Sequence, residues 1–141
     1  MPKKTSQNGM PGPNAEEGVA FLNANKGKQG VVTLPSGLQY KIIEQGTGPK
    51  PGPADKVMVH YTGTLVNGKM FDSSSLYGQP VQLKVDGVIA GWTEALQLMP
   101  AGSKWELYIP SQLAYGTHTG QGSFPPNSAM VFEVQLLEIV K

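Results

Sequence analysis

Val88-Ile89-Ala90-Gly91-Trp92-Thr93-Glu94-Ala95-Leu96-Gln97-Leu98-Met99 is the stretch in which the hydrophobic period of this chain turns helical. Ile89, Trp92, Leu96 and Met99 recur every three or four residues, which places them on one helical face. The spacing predicts an amphipathic helix over residues 88–98. Pro100-Ala101-Gly102 ends it, because proline cannot continue the helical hydrogen bonding. On both sides of this stretch the period falls to two. Leu38, Tyr40 and Ile42 alternate with other positions, and so do Val57, Val59 and Tyr61. Val81, Leu83 and Val85 repeat the pattern, followed later by Trp105, Leu107 and Ile109 and by Met130, Phe132, Val134 and Leu136. Each run reads as a strand with one covered face. Asn67-Gly68 reads as a type I′ hairpin turn between the Val57 strand and one through Met70 and Phe71. Strands interrupted by one apolar-faced helix imply an α+β fold, in which a curled antiparallel sheet wraps the helix and buries its Ile89/Trp92/Leu96 stripe.

The flanks divide the chain into three parts. Residues 1–13 hold three prolines and two glycines without a period, and read as a disordered leader or linker. Residues 14–36 read as a short N-terminal helix and a connector. Asn14 is placed to cap, Glu17 sits near the positive end of the dipole, Ala15, Val19 and Leu22 share a face, and Gly27 is the stop. Residues 37–141 form the main domain. Within it, residues 116–128 carry three glycines and two prolines between strands. A loop that long in a compact domain is more often functional than idle, so it is expected to overhang a site.

Composition removes several classes of function. The chain has 141 residues, no cysteine, 15% charged residues and a net charge of +1. Disulfide scaffolds, thiol nucleophiles and cysteine-ligated zinc are excluded. No basic stripe argues for nucleic acid. No stretch approaches the ~18 apolar residues of a membrane span, and no secretory apolar run stands near the start. His60 reads as exposed or structural and His118 as solvated in the long loop, and two histidines without a carboxylate pattern do not make a metal site. Ser73, Ser74 and Ser75 lack a triad cue, and the loop glycines lack the strand-to-helix setting of a phosphate cradle. Taken alone, Trp92 and Phe132 would be ordinary core, and Asp72 would shape a turn.

Five segments change that balance when read in order: His60-Tyr61-Thr62-Gly63, Phe71-Asp72-Ser73-Ser74, Val88-Ile89-Ala90-Gly91-Trp92, Ala114-Tyr115-Gly116, and Pro125-Pro126-Asn127 with Val131-Phe132-Glu133-Val134. Together they resemble the FKBP-type peptidyl-prolyl cis-trans isomerases, over residues 37–141. The flank through Leu34-Pro35-Ser36-Gly37-Leu38-Gln39-Tyr40 is most similar to the bacterial macrophage-infectivity-potentiator subgroup. The resemblance implies a protein-folding isomerase of Xaa-Pro bonds that needs an apolar pocket and no cofactor or metal. Trp92 would be the pocket floor, with Tyr61, Phe71, Val88, Ile89 and Phe132 as walls. The Ile89 N–H and the Tyr115 hydroxyl would donate to ligand carbonyls, Asp72 would sit at the rim, and Phe124 would flank the substrate from the long loop. Many relatives carry an aromatic wall residue where this chain has Val81, which implies a wider wall, with Tyr77 the candidate to compensate.

Further implications concern partners. Proline-containing polypeptides would be substrates, and macrolides such as tacrolimus and rapamycin would inhibit. The alternative of another class is a chaperone module of the same fold that binds proline segments with little turnover. The subgroup dimerises through a long N-terminal helix that is mostly absent here, so a monomer is expected. The same resemblance suggests the bacterial periplasm or cell envelope, although the chain carries no export signal.

Overall fold

β3 (Lys56–Leu65) is the strand around which the molecule is organised, because it pairs on one side with a single long strand and on the other with two short ones. The computed structural model describes residues 13–74, 78–114 and 128–140. In chain order its elements are helix α1 (Pro13–Asn25), strands β1 (Val31–Thr33) and β2 (Gln39–Glu44), β3, β4 (Met70–Ser73) and β5 (Val81–Lys84). Helix α2 (Ala90–Leu96) and strands β6 (Lys104–Ile109) and β7 (Met130–Val140) follow. All strand pairings are antiparallel, in the order β1-β2-β6-β7-β3-β4, with β5 also on β3. The α+β reading is therefore what the molecule adopts.

Burial explains why the sheet curls. Ile89, Trp92, Ala95, Leu96 and Met99 from the helical stretch share one core with Val57, Val59, Leu107, Ile109, Phe132 and Val134 from the sheet. The helix itself is shorter than the periodicity implies. It spans seven residues, and Met99 reaches the core from the turn that follows, where its N–H donates to the Leu96 carbonyl. So short a helix has little stability of its own, and packing of its apolar face holds it. Its approach to β6 depends on Gly91. A Cβ there would lie 2.7 Å from Ile109 Cγ2 and 3.1 Å from Ile109 Cδ1.

Four local expectations are corrected. The hairpin between β3 and β4 is not a two-residue type I′ turn. The Gly68 N–H donates to the Leu65 carbonyl and the Leu65 N–H to the Lys69 carbonyl, with Gly68 at φ 90°. This is a three-residue connection with glycine in the left-handed position, and the Asn67 side chain accepts from the Lys69 N–H rather than adopting that position itself. α1 begins at Pro13, one residue before Asn14, at a position where a missing N–H costs nothing. The face that Ala15, Val19 and Leu22 share is not fully covered, since Val19 is 59% exposed. Gly18 packs on Ala129 instead, Phe21 lies 6.2 Å from the Tyr108 ring, and buried Asn25 donates to Gln39 at 2.8 Å. Finally, Ile42 is 43% exposed despite its alternation with Leu38 and Tyr40; the pairing of β1 with β2 ends at Lys41, so β1 does not flank Ile42.

α1 thus covers the outer face of the sheet while α2 fills the inner one. On the outer face, burial and then the hydrogen bond and charge of Glu106 hold the Tyr108 phenol well above its ordinary pKa.

Gly91→Ala tests the close approach of α2. Alanine gains up to ~1 kcal/mol in helix propensity, whereas overpacking against Ile109 costs ~1–3 kcal/mol. The urea midpoint is expected to fall with an unchanged slope, and a midpoint at or above the parent's would show that Ile109 moves aside freely.

Candidate functional site

Three aromatic rings from three elements meet edge to face at the inner surface of the sheet. Trp92 from the first turns of α2 lies 5.1 Å from Tyr61 on β3 at 83°, and 5.1 Å from Phe132 on β7 at 87°. Tyr61 and Phe132 are 6.4 Å apart, and Phe71 on β4 stands against Phe132 at 5.5 Å and 84°. Such T-shaped pairs are worth ~0.5–1.5 kcal/mol each beyond area burial, so the cluster fixes ring orientations as well as filling space. The pairing β3–β7 sets it up, since Tyr61 faces Val134 and Gly63 faces Phe132 in register. Gly63 is essential to the fit: a Cβ there would sit 2.6 Å from Phe132 Cε1 and 2.9 Å from Phe71 Cζ. Trp92 is 5% exposed, and its indole N–H has no acceptor among the described residues. An unpaired buried donor costs ~1–3 kcal/mol, which the surrounding apolar packing must offset.

The polar side of the site is organised by Asp72. Tyr61 Oη donates to Asp72 Oδ2 at 2.8 Å, and the Ser73 N–H donates to Oδ1 at 2.9 Å. Each carboxylate oxygen carries one donor and keeps further acceptor capacity. Behind Tyr61, buried Ser74 fills a gap in the strand pairing. Its Oγ accepts from the Tyr61 N–H at 3.0 Å, lies 3.3 Å from the Tyr61 carbonyl, and is 3.0 Å from His60 Nδ1. His60 is half-buried on the outer face.

Tyr61, Asp72, Leu83, Val88, Ile89, Trp92 and Phe132 together line a cavity of about 90 Å³. Six of the residues singled out from sequence therefore come together. Phe71 stands one layer back, buttressing Phe132 rather than lining the space. Val81 does not line it, and its place on the wall is taken by Leu83 two residues later. Alternation already put Val81 and Leu83 on the same side of β5. What separates them is register, Val59↔Val81 against Val57↔Leu83, together with the entry of α2 directly after β5. Tyr77, Tyr115, Phe124 and His118 lie outside the described residues, as does most of the long loop. Among the described residues no cluster of three or more His, Cys, Asp or Glu could hold a metal ion. Among the described residues the chemistry on offer is apolar shape, hydrogen bonding and the Asp72 carboxylate.

Known proteins match this chain over most of its length. The sequence profile described as FKBP-type peptidyl-prolyl cis-trans isomerase matches residues 47–137, and the profile of the domain amino-terminal to such isomerases matches residues 2–42. The "Outer membrane protein MIP" of Legionella longbeachae is 55% identical over 128 residues, covering 91% of this chain and 55% of that protein. The "FKBP-type 22 kDa peptidyl-prolyl cis-trans isomerase" of Escherichia coli K12 is 55% identical, over 89% of this chain and 61% of its own length. The chain thus spans little more than half the length of these relatives. The crystal structure of FkpA from Escherichia coli superposes with a TM-score of 0.85 at 43% identity, over 89% of this chain and 59% of that one.

Gly63→Ala is expected to push the Phe132 and Phe71 rings apart at a cost of ~1–3 kcal/mol in stability. The emission of Trp92, which meets Phe132 edge-on, should shift with it. An unchanged melting curve and spectrum would show that the cluster does not depend on this gap.

Proposed function

The chain belongs to the FKBP-type peptidyl-prolyl cis-trans isomerase family, and on that premise we propose that it accelerates rotation about Xaa-Pro bonds in unfolded or partly folded polypeptides. Rotation about a peptide bond faces ~18–20 kcal/mol because resonance stiffens the C–N bond. Before proline the two isomers differ by only ~0.5–1 kcal/mol, so a catalyst has only the barrier to lower. An acceleration of 10⁴–10⁶ asks for ~5–8 kcal/mol. The twisted transition state has lost conjugation and is less polar than the planar amide. A dry hollow therefore favours it over the ground state, and fixing the prolyl ring removes further freedom.

The observation that carries this reading is the apolar cavity over Trp92, walled by Tyr61, Phe132, Leu83, Val88 and Ile89. In the proposed role Trp92 supports the prolyl ring and Phe71 holds Phe132 upright. The Ile89 N–H, for which no acceptor is found among the described residues, donates to a substrate carbonyl. Asp72, held by Tyr61 and Ser73, presents its remaining lone pairs at the rim. Tyr115 supplies a second donor and Phe124 a flanking ring. In this reading tacrolimus- and rapamycin-type macrolides compete for the same hollow.

A protease-coupled prolyl-peptide assay decides the matter. The parent is expected to run well above the uncatalysed rate, with tacrolimus removing the excess. Asp72→Leu and Tyr115→Ala should each slow it by roughly ten- to a hundredfold, the scale of one or two lost transition-state contacts. A parent no faster than buffer would remove the enzyme. If such a parent still bound proline peptides with a change in Trp92 emission, the chain would be a binding module of the same fold.

A further inference from the structure

Thr93 follows the floor tryptophan and does not line the cavity. Its hydroxyl donates to the Val85 carbonyl at 2.8 Å, with the carbonyls of Val88 at 3.3 Å and Ile89 at 3.4 Å also within reach. One side chain on α2 thus gathers three carbonyls of the segment that leads into that helix. The same segment supplies Val88 and Ile89 to the cavity wall and carries the Ile89 N–H. Its other anchors are backbone bonds, with the Ile89 carbonyl accepting from the Trp92 and Thr93 N–H groups where α2 starts. The Val85 N–H donates to the Asp55 carbonyl and the Asp86 N–H to the Pro53 carbonyl, both before the wall residues begin. Between them lies only a short 3₁₀ turn, Val85–Gly87, with no side-chain cap. A hydroxyl has one proton, so the nearest carbonyl, Val85, takes the bond, and the Val88 and Ile89 carbonyls are alternative acceptors for the same proton.

Resting on the isomerase reading of the cavity, we infer that Thr93 is a positioning residue. It fixes the Val88-Ile89 wall and the direction of the Ile89 N–H relative to Trp92, and so sets how well the site is organised before substrate arrives. Preorganised donors act without rearrangement at the moment of reaction, so loosening one lowers turnover even where no contact to substrate is lost. The neighbouring helix residues support the assignment. Thr93 also donates its own N–H to the Ile89 carbonyl, and its carbonyl accepts from Gln97 Nε2 at 2.9 Å, so its backbone is tied at both ends. The side chain is left as the adjustable link between helix and wall.

Thr93→Val keeps the shape and deletes the hydroxyl, Thr93→Ala deletes it another way, and Thr93→Ser restores it. Three readouts apply to each: ¹⁵N relaxation of the Val88 and Ile89 amides, binding of a proline peptide followed by Trp92 emission, and coupled turnover. Valine and alanine are expected to increase motion at Val88 and Ile89 and to lower kcat/KM by about tenfold, the scale of one lost hydrogen bond. Part of the loss should fall in kcat, and serine should recover most of it. Unchanged order at these amides overturns the inference, and so does increased motion with parental turnover. In a parent that lacks turnover the isomerase reading falls separately, and peptide affinity then decides: weaker binding in valine and alanine with recovery in serine supports the positioning role, and equal binding overturns it.

Discussion

Everything at the site follows from the change of partner that β3 makes halfway along one edge. From Lys56 to Val59 it pairs with β5, and from Thr62 to Thr64 with β4, while β7 runs along the whole of the other side with one bulge, between Met58 and Val59. His60 and Tyr61 sit at the seam between the two registers. The partner strand changes there, and Asp72 of β4 and Leu83 of β5 both line the cavity with Trp92 of α2. Backbone hydrogen bonds lost at a seam are costly when buried, since nearly all such groups in folded proteins are paired. The buried Ser74 hydroxyl answers this directly by accepting the Tyr61 N–H in place of a strand carbonyl. The opening in the sheet and the repair behind it are two sides of one constraint, and Tyr61 faces the opening.

Two glycines let the rings close around that opening. Gly91 brings α2 down onto Ile109, and Gly63 leaves the space that Phe132 and Phe71 occupy. Neither needs an unusual backbone angle, since neither is among the positive-φ glycines. Each is glycine because a Cβ would meet another side chain at less than 3 Å. With both in place Trp92 meets Tyr61 and Phe132 at near-perpendicular angles, and a largely apolar hollow remains beside them. Interiors pack at crystal-like density, so a hollow of this size persists only where rigid groups hold its walls apart.

Much of this was legible in the sequence, and the losses have physical causes. The helix stripe was readable because Ile89, Trp92, Leu96 and Met99 all bury, the last from beyond the helix end. The strands were readable from alternation, and the candidate pocket residues from the ordered segments. Register was not. Val81 and Leu83 carry the same alternation signal, and only pairing with β3 and proximity to α2 decide between them. Turn type was equally hidden, because Asn67-Gly68 satisfies two hairpin geometries and differs only in which residue closes the loop. The docking of α1 could not be read from its apolar spacing, since the side that packs includes Gly18 and Asn25, which serve closeness and hydrogen bonding. Ser74 stood in one of the ordered segments and Thr93 in the helical stretch, but nothing in the sequence marked the part either plays. Each is an ordinary small polar residue whose importance lies in carbonyls and amides that only the folded chain brings within reach.

The cavity and the core are one body here, and this bears on how side chains around it should be read. Trp92 and Phe132 belong to the same buried cluster as Leu96, Val134 and Leu107, so truncating either removes core as well as wall. Large-to-small changes there cost ~3–5 kcal/mol, comparable to a small domain's whole stability, and loss of activity would say little about contact with a ligand. Polar groups at the margin separate the two effects better. The Asp72 carboxylate and the Thr93 hydroxyl act through hydrogen bonds, and neither residue belongs to the packed apolar cluster. A site built from the core can be taken apart informatively only from its hydrogen-bonded edge.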